Sequence, residues 1–424
     1  MKAWHAGVAL LLAGAALVAA ALSLPSLDRA ADLRSGAAAP ATADPAAVAR
    51  GAYLATLGHC AGCHDAPGGG ARYAGGRVVA TPFGGVVAAN LTPDADTGLG
   101  RWTAAAFRRA LHDGRSADGR PLLPACPTTH FGLIGEADAD DLFAFLRSLP
   151  AQRAARAPHE LRWPYGSPQA LWAWRALHHR PPQLPPAPPG ARADWARGAW
   201  LVGGPGHCGA CHGRRDAWGA TDGSFDLRGG PLPGQGWLAP SLADPRQAAV
   251  SGWTEDEVVA LLRDGRNRHA TVSGPMARVV AHSTQHWCES DLRAAAEFLR
   301  RLPPVSGPRP PASPPPDERL RRGEQLYADQ CADCHGRQGE GRDDDGPALA
   351  GNRALALDAP DNVVHAVLAG GFGPATARVP RPAGMPPFAT TLSDEDIAAV
   401  VSFARWRFGA QASGVDAHEV NRRR

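Results

Sequence analysis

Cys60-Ala61-Gly62-Cys63-His64, Cys208-Gly209-Ala210-Cys211-His212 and Cys331-Ala332-Asp333-Cys334-His335 spell one pattern three times. Two thiols about one helical turn apart can add to the two vinyl groups of a single porphyrin. The histidine that follows then turns its imidazole to the iron from the same face, so C-x-x-C-H is the attachment signature of c-type haem. A zinc half-site or a redox disulfide also uses C-x-x-C, but neither needs histidine directly after every second cysteine. Six of the eight cysteines are consumed in this way. The reading is three covalently bound haem c groups, with His64, His212 and His335 as proximal iron ligands.

The same repeat extends outward. Arg50-Gly51, Arg197-Gly198 and Arg322-Gly323 each open a short helical pattern that runs into the cysteine pair. Each copy closes on an amphipathic segment. Residues 138–149 place Leu142, Phe145, Leu146 and Leu149 on one face before Pro150. Residues 290–302 do so with Leu292, Ala296 and Leu299 before Pro303. Residues 393–408 carry Ile397, Val400, Val401 and Ala404, with Ser393 as N-cap and Glu395 and Asp396 in the first turn. Two helices packed on each other over a macrocycle make a small, mainly α domain. So few helices core such a domain poorly without the covalent group.

The chain has 424 residues, and its 49 glycines and 40 prolines favour loops and stiff spacers over long helices. Formal net charge is +3 before any haem propionate is counted, and the basic residues are scattered apart from Arg422-Arg423-Arg424, so no nucleic-acid partner is inferred. Lys2 followed by an uncharged Ala-, Leu- and Val-rich run at 6–24 reads as a secretory signal or an uncleaved anchor. Haem attachment on the exported side agrees with either. The expected organisation is a signal peptide or N-terminal anchor at 1–25, domains at 45–155, 193–304 and 318–410, a linker with an aromatic segment at 156–192, a Pro-rich linker at 305–317 and a polar tail at 411–424. Within 161–177, Trp163, Tyr165, Trp172 and Trp174 suit either an interdomain helix packed on the first domain or a docking surface for a partner or membrane face.

An iron used for electron transfer takes a second protein ligand, often methionine. Beyond Met1 the chain has only Met276, in Gly274-Pro275-Met276, and Met385, in Gly384-Met385-Pro386-Pro387. Both stand after their motif on stiff loops and are assigned as distal ligands of the second and third irons. The matching place in the first copy holds Cys126, in Pro124-Ala125-Cys126-Pro127, with His130 four residues on. Cys126, His130 and an open or water-filled site compete there. A thiolate ligand lowers the potential relative to methionine. Cys288 lies in no motif and reads as an inert buried thiol.

These segments carry a resemblance. With Ala80-Thr81-Pro82-Phe83-Gly84, Asn90-Leu91-Thr92-Pro93-Asp94, Thr97-Gly98-Leu99-Gly100-Arg101-Trp102, Ser283-Thr284-Gln285 and Met385-Pro386-Pro387-Phe388, the chain over roughly 47–408 resembles the triheme cytochrome c subunit of membrane-bound periplasmic dehydrogenases for alcohol, gluconate, sorbitol, fructose or aldehydes. The resemblance implies three tandem class-I-like cytochrome c domains joined by Pro-rich linkers. It implies an electron-transfer subunit of an oxidoreductase complex acting on CH–OH or aldehyde donors. Electrons would come from a catalytic subunit with a flavin, quinone or molybdenum cofactor and leave to ubiquinone or a terminal oxidase, on the periplasmic side of the cytoplasmic membrane. It implies haem-propionate contacts for Trp102 and Trp253, with Asn90 and Thr92 on the first of these loops. It also marks a departure, because the family has methionine where this chain has Cys126. Two other functions compete: a peroxidase-like or sulfur-oxidising haem enzyme with its active site at the first haem, and a free soluble electron shuttle.

Overall fold

The structure, a computed structural model, describes residues 44–305, 312–342 and 346–424. The expected targeting segment lies outside the described residues. Among the described residues no helix is long and apolar enough to cross a membrane. The chain divides into two compact units. One runs up to Ala55 and takes Cys63–Pro182 and Trp218–Ala220; the other takes Thr56–Gly62, Gln183–Ala217 and Thr221–Arg424.

The first repeat runs α1 (Pro45–Leu57), α2 (Cys60–His64), β1 (Val78–Thr81), β2 (Gly84–Val87), α3 (Ala104–Asp113), α4 (Thr128–Phe131), α5 (Glu136–Ser148), β3 (Glu160–Leu161) and α6 (Pro168–His178). The second runs α7 (Trp195–Gly203), α8 (Gly209–His212), β4 (Gly230–Pro231), β5 (Leu238–Ala239), α9 (Glu255–Asp264), α10 (Gly274–His282) and α11 (Glu289–Arg300). The third runs α12 (Asp317–Gln330), α13 (Ala332–His335), α14 (Arg353–Ala356), α15 (Asp361–Ala369), β6 (Gly371–Phe372), β7 (Gly384–Met385), α16 (Asp394–Phe408) and α17 (Ala417–Asn421).

One device closes all three repeats. The opening helix crosses the closing helix at the glycine of the Arg-Gly pair. A Cβ at Gly51 would overlap the Asp141 carbonyl, one at Gly198 that of Ala294, and one at Gly323 that of Ala399. Only glycine admits so close a backbone approach. The preceding arginine ties the same two helices: Arg50 Nε donates to Asp141 at 2.6 Å, Arg197 Nε to Asp291 at 2.9 Å and Arg322 Nε to Asp396 at 2.9 Å. Side chains at the expected positions fill the crossing. Leu142, Leu146, Leu292, Ala296, Leu299, Ile397, Val400, Val401 and Ala404 are all buried. The helices start and stop on local chemistry. Thr254 and Glu257 form a capping box on α9, Ser393 accepts from Asp396 N on α16, and Gly114 and Gly265 end α3 and α9 in the left-handed region.

Four features differ from the sequence reading. Short antiparallel ribbons, β1-β2-β3, β4-β5 and β6-β7, thread the loops; they are too short to show a period of their own. The polar tail at 411–424 is a docked element. Ala412, Val415 and Val420 are fully buried, Asp416 and Glu419 cap α17, and Arg423 pairs with Asp361 at 3.0 Å. Three apolar residues spaced among charges suffice to anchor it, while most of the others stay exposed or half-buried. Cys288 is exposed rather than buried, at the start of α11, where its polar neighbours Glu289 and Ser290 also face outward. The aromatic segment is mixed. Ser167 caps α6, Tyr165 stacks on Phe83 with centroids 4.1 Å apart and Trp174 Nε1 donates to Trp218 O at 2.9 Å, whereas Trp163 is 89% exposed.

The second and third repeats share one unit despite the proline-rich spacer between them. Asn362 grips Leu238 at both ends, accepting from its N–H at 2.8 Å and donating to its carbonyl at 2.8 Å. Gln285 does likewise with Ala375 O and Ala377 N. Trp237 packs on His365, and Arg378 lies 3.6 Å from the buried Asp264.

Candidate functional site

Each C-x-x-C-H folds as a single helical turn, α2, α8 and α13, which sets the two thiols on one side. The first cysteine of each pair is half-buried and the second exposed. Burial, with the paired cysteine beside it, pushes the Cys208 thiol up to about 12 and the Cys331 thiol up to about 11. The chain enters the first two turns through His59 and His207, both at positive φ (48° and 37°), a conformation that non-glycine residues adopt only when their surroundings hold them.

The three motif histidines are held identically. His64 Nδ1 is 2.8 Å from Ala89 O, His212 Nδ1 2.8 Å from Pro240 O and His335 Nδ1 2.8 Å from Pro347 O. A carbonyl can only accept, so Nδ1 carries the proton and Nε2 keeps its lone pair for a metal. Burial pushes all three imidazoles below their ordinary pKa, against the pull of the carbonyl. A neutral imidazole is the form that binds a metal. Around each histidine the loop is laid the same way. Its own carbonyl accepts from Gly75, Gly229 or Gly341. The residue two places before Leu91, Leu242 and Leu349 supplies the holding carbonyl. The sequence reading missed these carbonyls; the recurring leucine two places on was the available signal.

Of the two methionines expected as distal ligands on stiff loops, Met276 instead lies in helix α10, with Pro275 in its first turn, and Met385 on strand β7, both half-buried. Cys126 is half-buried at the turn before α4. Burial, with the Cys63 thiol nearby, pushes it up to about 12. His130 is buried within α4. Asn90 and Thr92 are buried but engaged in bracing their loop: Asn90 Nδ2 donates to Gln152 O at 2.7 Å and Thr92 Oγ1 to Asn90 Oδ1 at 2.7 Å. Trp102 is half-buried, and Trp253 is buried with no acceptor for its indole N–H among the described residues. The Nε atoms of Arg77 and Arg115 in the first repeat are likewise buried without an acceptor.

These residues fit haem c. Paired thiols on a helical turn, a neutral imidazole with Nε2 left over, and buried N–H donors lacking an acceptor together match its vinyl groups, iron and propionates. Helical repeats closed over such a set define a c-type cytochrome.

Comparison with known proteins agrees. Residues 48–150 match the family described as cytochrome c, and residues 318–403 match cytochrome C oxidase, cbb3-type, subunit III. The alcohol dehydrogenase (quinone) cytochrome c subunit of Gluconobacter oxydans is 36% identical over 420 residues, covering 92% of this chain and 84% of that one. The gluconate 2-dehydrogenase cytochrome c subunit of Pantoea cypripedii is 33% identical over 393 residues, covering 88% of each. The fructose dehydrogenase cytochrome subunit of Gluconobacter japonicus is 28% identical over 417 residues, covering 90% of this chain and 83% of that one. The chain belongs to the family of cytochrome c subunits of dehydrogenases.

Proposed function

We propose that this chain carries three haem c groups and passes electrons from the catalytic subunit of a periplasmic dehydrogenase acting on CH–OH or aldehyde donors to ubiquinone or a terminal oxidase, at the outer face of the cytoplasmic membrane. The observation that carries the haem count is the threefold recurrence of one geometry, a half-buried motif histidine held through Nδ1 by a backbone carbonyl at 2.8 Å. The relatives' names support the choice of partner. Bound haem c would supply a one-electron iron couple at each motif.

The chain's own residues hold that chemistry in place. Cys60 and Cys63, Cys208 and Cys211, Cys331 and Cys334 fasten the macrocycles. His64, His212 and His335 would offer Nε2 to the irons, and Met276 and Met385 would supply the second protein ligand of the second and third. A thioether is a neutral ligand, offered from a helix by Met276 and from a short strand by Met385. Cys126, rather than His130, closes the first site. Cys126 is half-buried with its thiol near enough to Cys63 for their charges to interact, whereas His130 is enclosed within α4.

Haem quantification as the pyridine complex, with EPR of the oxidised protein, tests this reading. Three haems per chain, all low-spin, are expected. Two haems, or a high-spin first site that takes up cyanide rapidly, would count against a pure carrier and for catalysis at the first haem.

A further inference from the structure

The second motif copy has a demand that its own repeat does not answer. Trp253 is only 4% exposed, and its indole N–H meets no acceptor among the described residues. Leaving a buried donor unpaired costs on the order of 1–3 kcal/mol, so an acceptor beyond the protein's own atoms is implied. One neighbour of the indole is His269, stacked with centroids 4.6 Å apart at 17°. The other comes from the third repeat: Arg353 stands over the ring, its guanidinium carbon 5.6 Å from the centroid.

Arg353 is fastened to the second repeat at three points. Its backbone N–H donates to His269 O at 3.1 Å. Its Nη1 donates to Pro245 O at 2.6 Å and Gln247 O at 3.3 Å. All three acceptors are neutral carbonyls, and among the described residues no carboxylate pairs with this guanidinium. Burial alone shifts its pKa, and the shift is downward, as for a cation drawn out of water without a counter-ion. An orphan N–H donor and an uncompensated cation side by side call for one anion between them.

We propose that Arg353 reaches from the third repeat to the second haem site and, with Trp253, anchors one propionate of the haem held by His212, so that a charge carried by one repeat sets the reduction potential of its neighbour. This rests on the reading of His212 as a haem ligand. A fixed positive charge favours the reduced, less positive iron, so its removal lowers the potential. Arg353 acts through the propionate and is a positioning residue, not an iron ligand.

The test is potentiometric, on the full-length holoprotein. Met276→His moves the wave of the His212 haem and so assigns it. Arg353→Gln is expected to shift that haem's reduction equilibrium toward the oxidised form about tenfold, about 59 mV for a one-electron couple. The other two waves should stay in place. Arg353→Lys keeps the charge and should shift it by less than about threefold. Trp253→Phe keeps the ring, should move the same wave, and should add less than its full effect when combined with Arg353→Gln. The proposal is overturned if Arg353→Gln and Trp253→Phe, each with full haem content, leave the assigned wave where it was, or if Arg353→Gln moves only the His335 haem. A parent protein with no haem on His212 would remove the underlying reading instead, and would be seen in the haem count before any variant is made.

Discussion

The first repeat and the second-third pair are closed by the same clasp and hold their motif histidine by the same carbonyl bond, yet they differ in two respects. At matching places in the sequence, the first repeat has the Cys126 thiol where the others have the thioethers of Met276 and Met385. The first repeat carries its own arginines with buried Nε atoms, Arg77 and Arg115, and the second its own Arg215, but the Trp253 ring of the second is also covered by an arginine of the third, Arg353. The parts that make a haem site are therefore repeated, and the parts that tune one are local to each copy.

Removing covalent attachment from one side at a time should break the comparison most visibly. Cys208→Ala with Cys211→Ala is expected to expose both the second and the third repeats to protease, because they share one unit. Cys60→Ala with Cys63→Ala should leave 221–424 resistant. Limited proteolysis with mass mapping reads the difference; a third repeat that survives loss of the second haem would show the two to be independent. Next in size is the clasp. Gly198→Val or Gly323→Val should destabilise the holoprotein by about 3 kcal/mol in denaturant titrations, since the added atoms meet backbone rather than flexible side chain. An effect under about 1 kcal/mol would mean that the helices can slide apart.

Cys126→Met converts the first site to the pattern of the others. It should raise the first haem's potential so that its reduction equilibrium moves by more than about tenfold. An unchanged spectrum and potential would exclude Cys126 as the ligand. The smallest effect is expected at the clasp's ion pairs. Asp291 is more buried than Asp141, so Arg197→Ala should cost about 1 kcal/mol and Arg50→Ala less, as measured by double-mutant cycles with their aspartates.

Much of this was legible in the sequence, because the deciding signals are local. C-x-x-C-H fixes thiols and imidazole within one turn, Arg-Gly marks the crossing, and Pro150, Pro303 and Ser393 punctuate the helices. What stayed hidden depends on residues far apart in the chain. No pattern around Trp253 announces Arg353, and none around Leu238 announces Asn362. The holding carbonyls of Ala89, Pro240 and Pro347 are backbone atoms, and side-chain identity records them only faintly. The tail misled because charge dominates its composition, while three buried apolar residues decide its fate.

The Asn362 amide meets Leu238 as a neighbouring strand would, giving the β4-β5 ribbon an edge partner from another copy. The ancestral gain from triplicating a module is that each copy can be lost, swapped or reshuffled alone. Here that freedom is gone for two of them. A crossover at the 305–317 spacer would part Asn362 from Leu238 and Arg353 from Trp253 together, so the second and third copies are built to be exchanged as one piece.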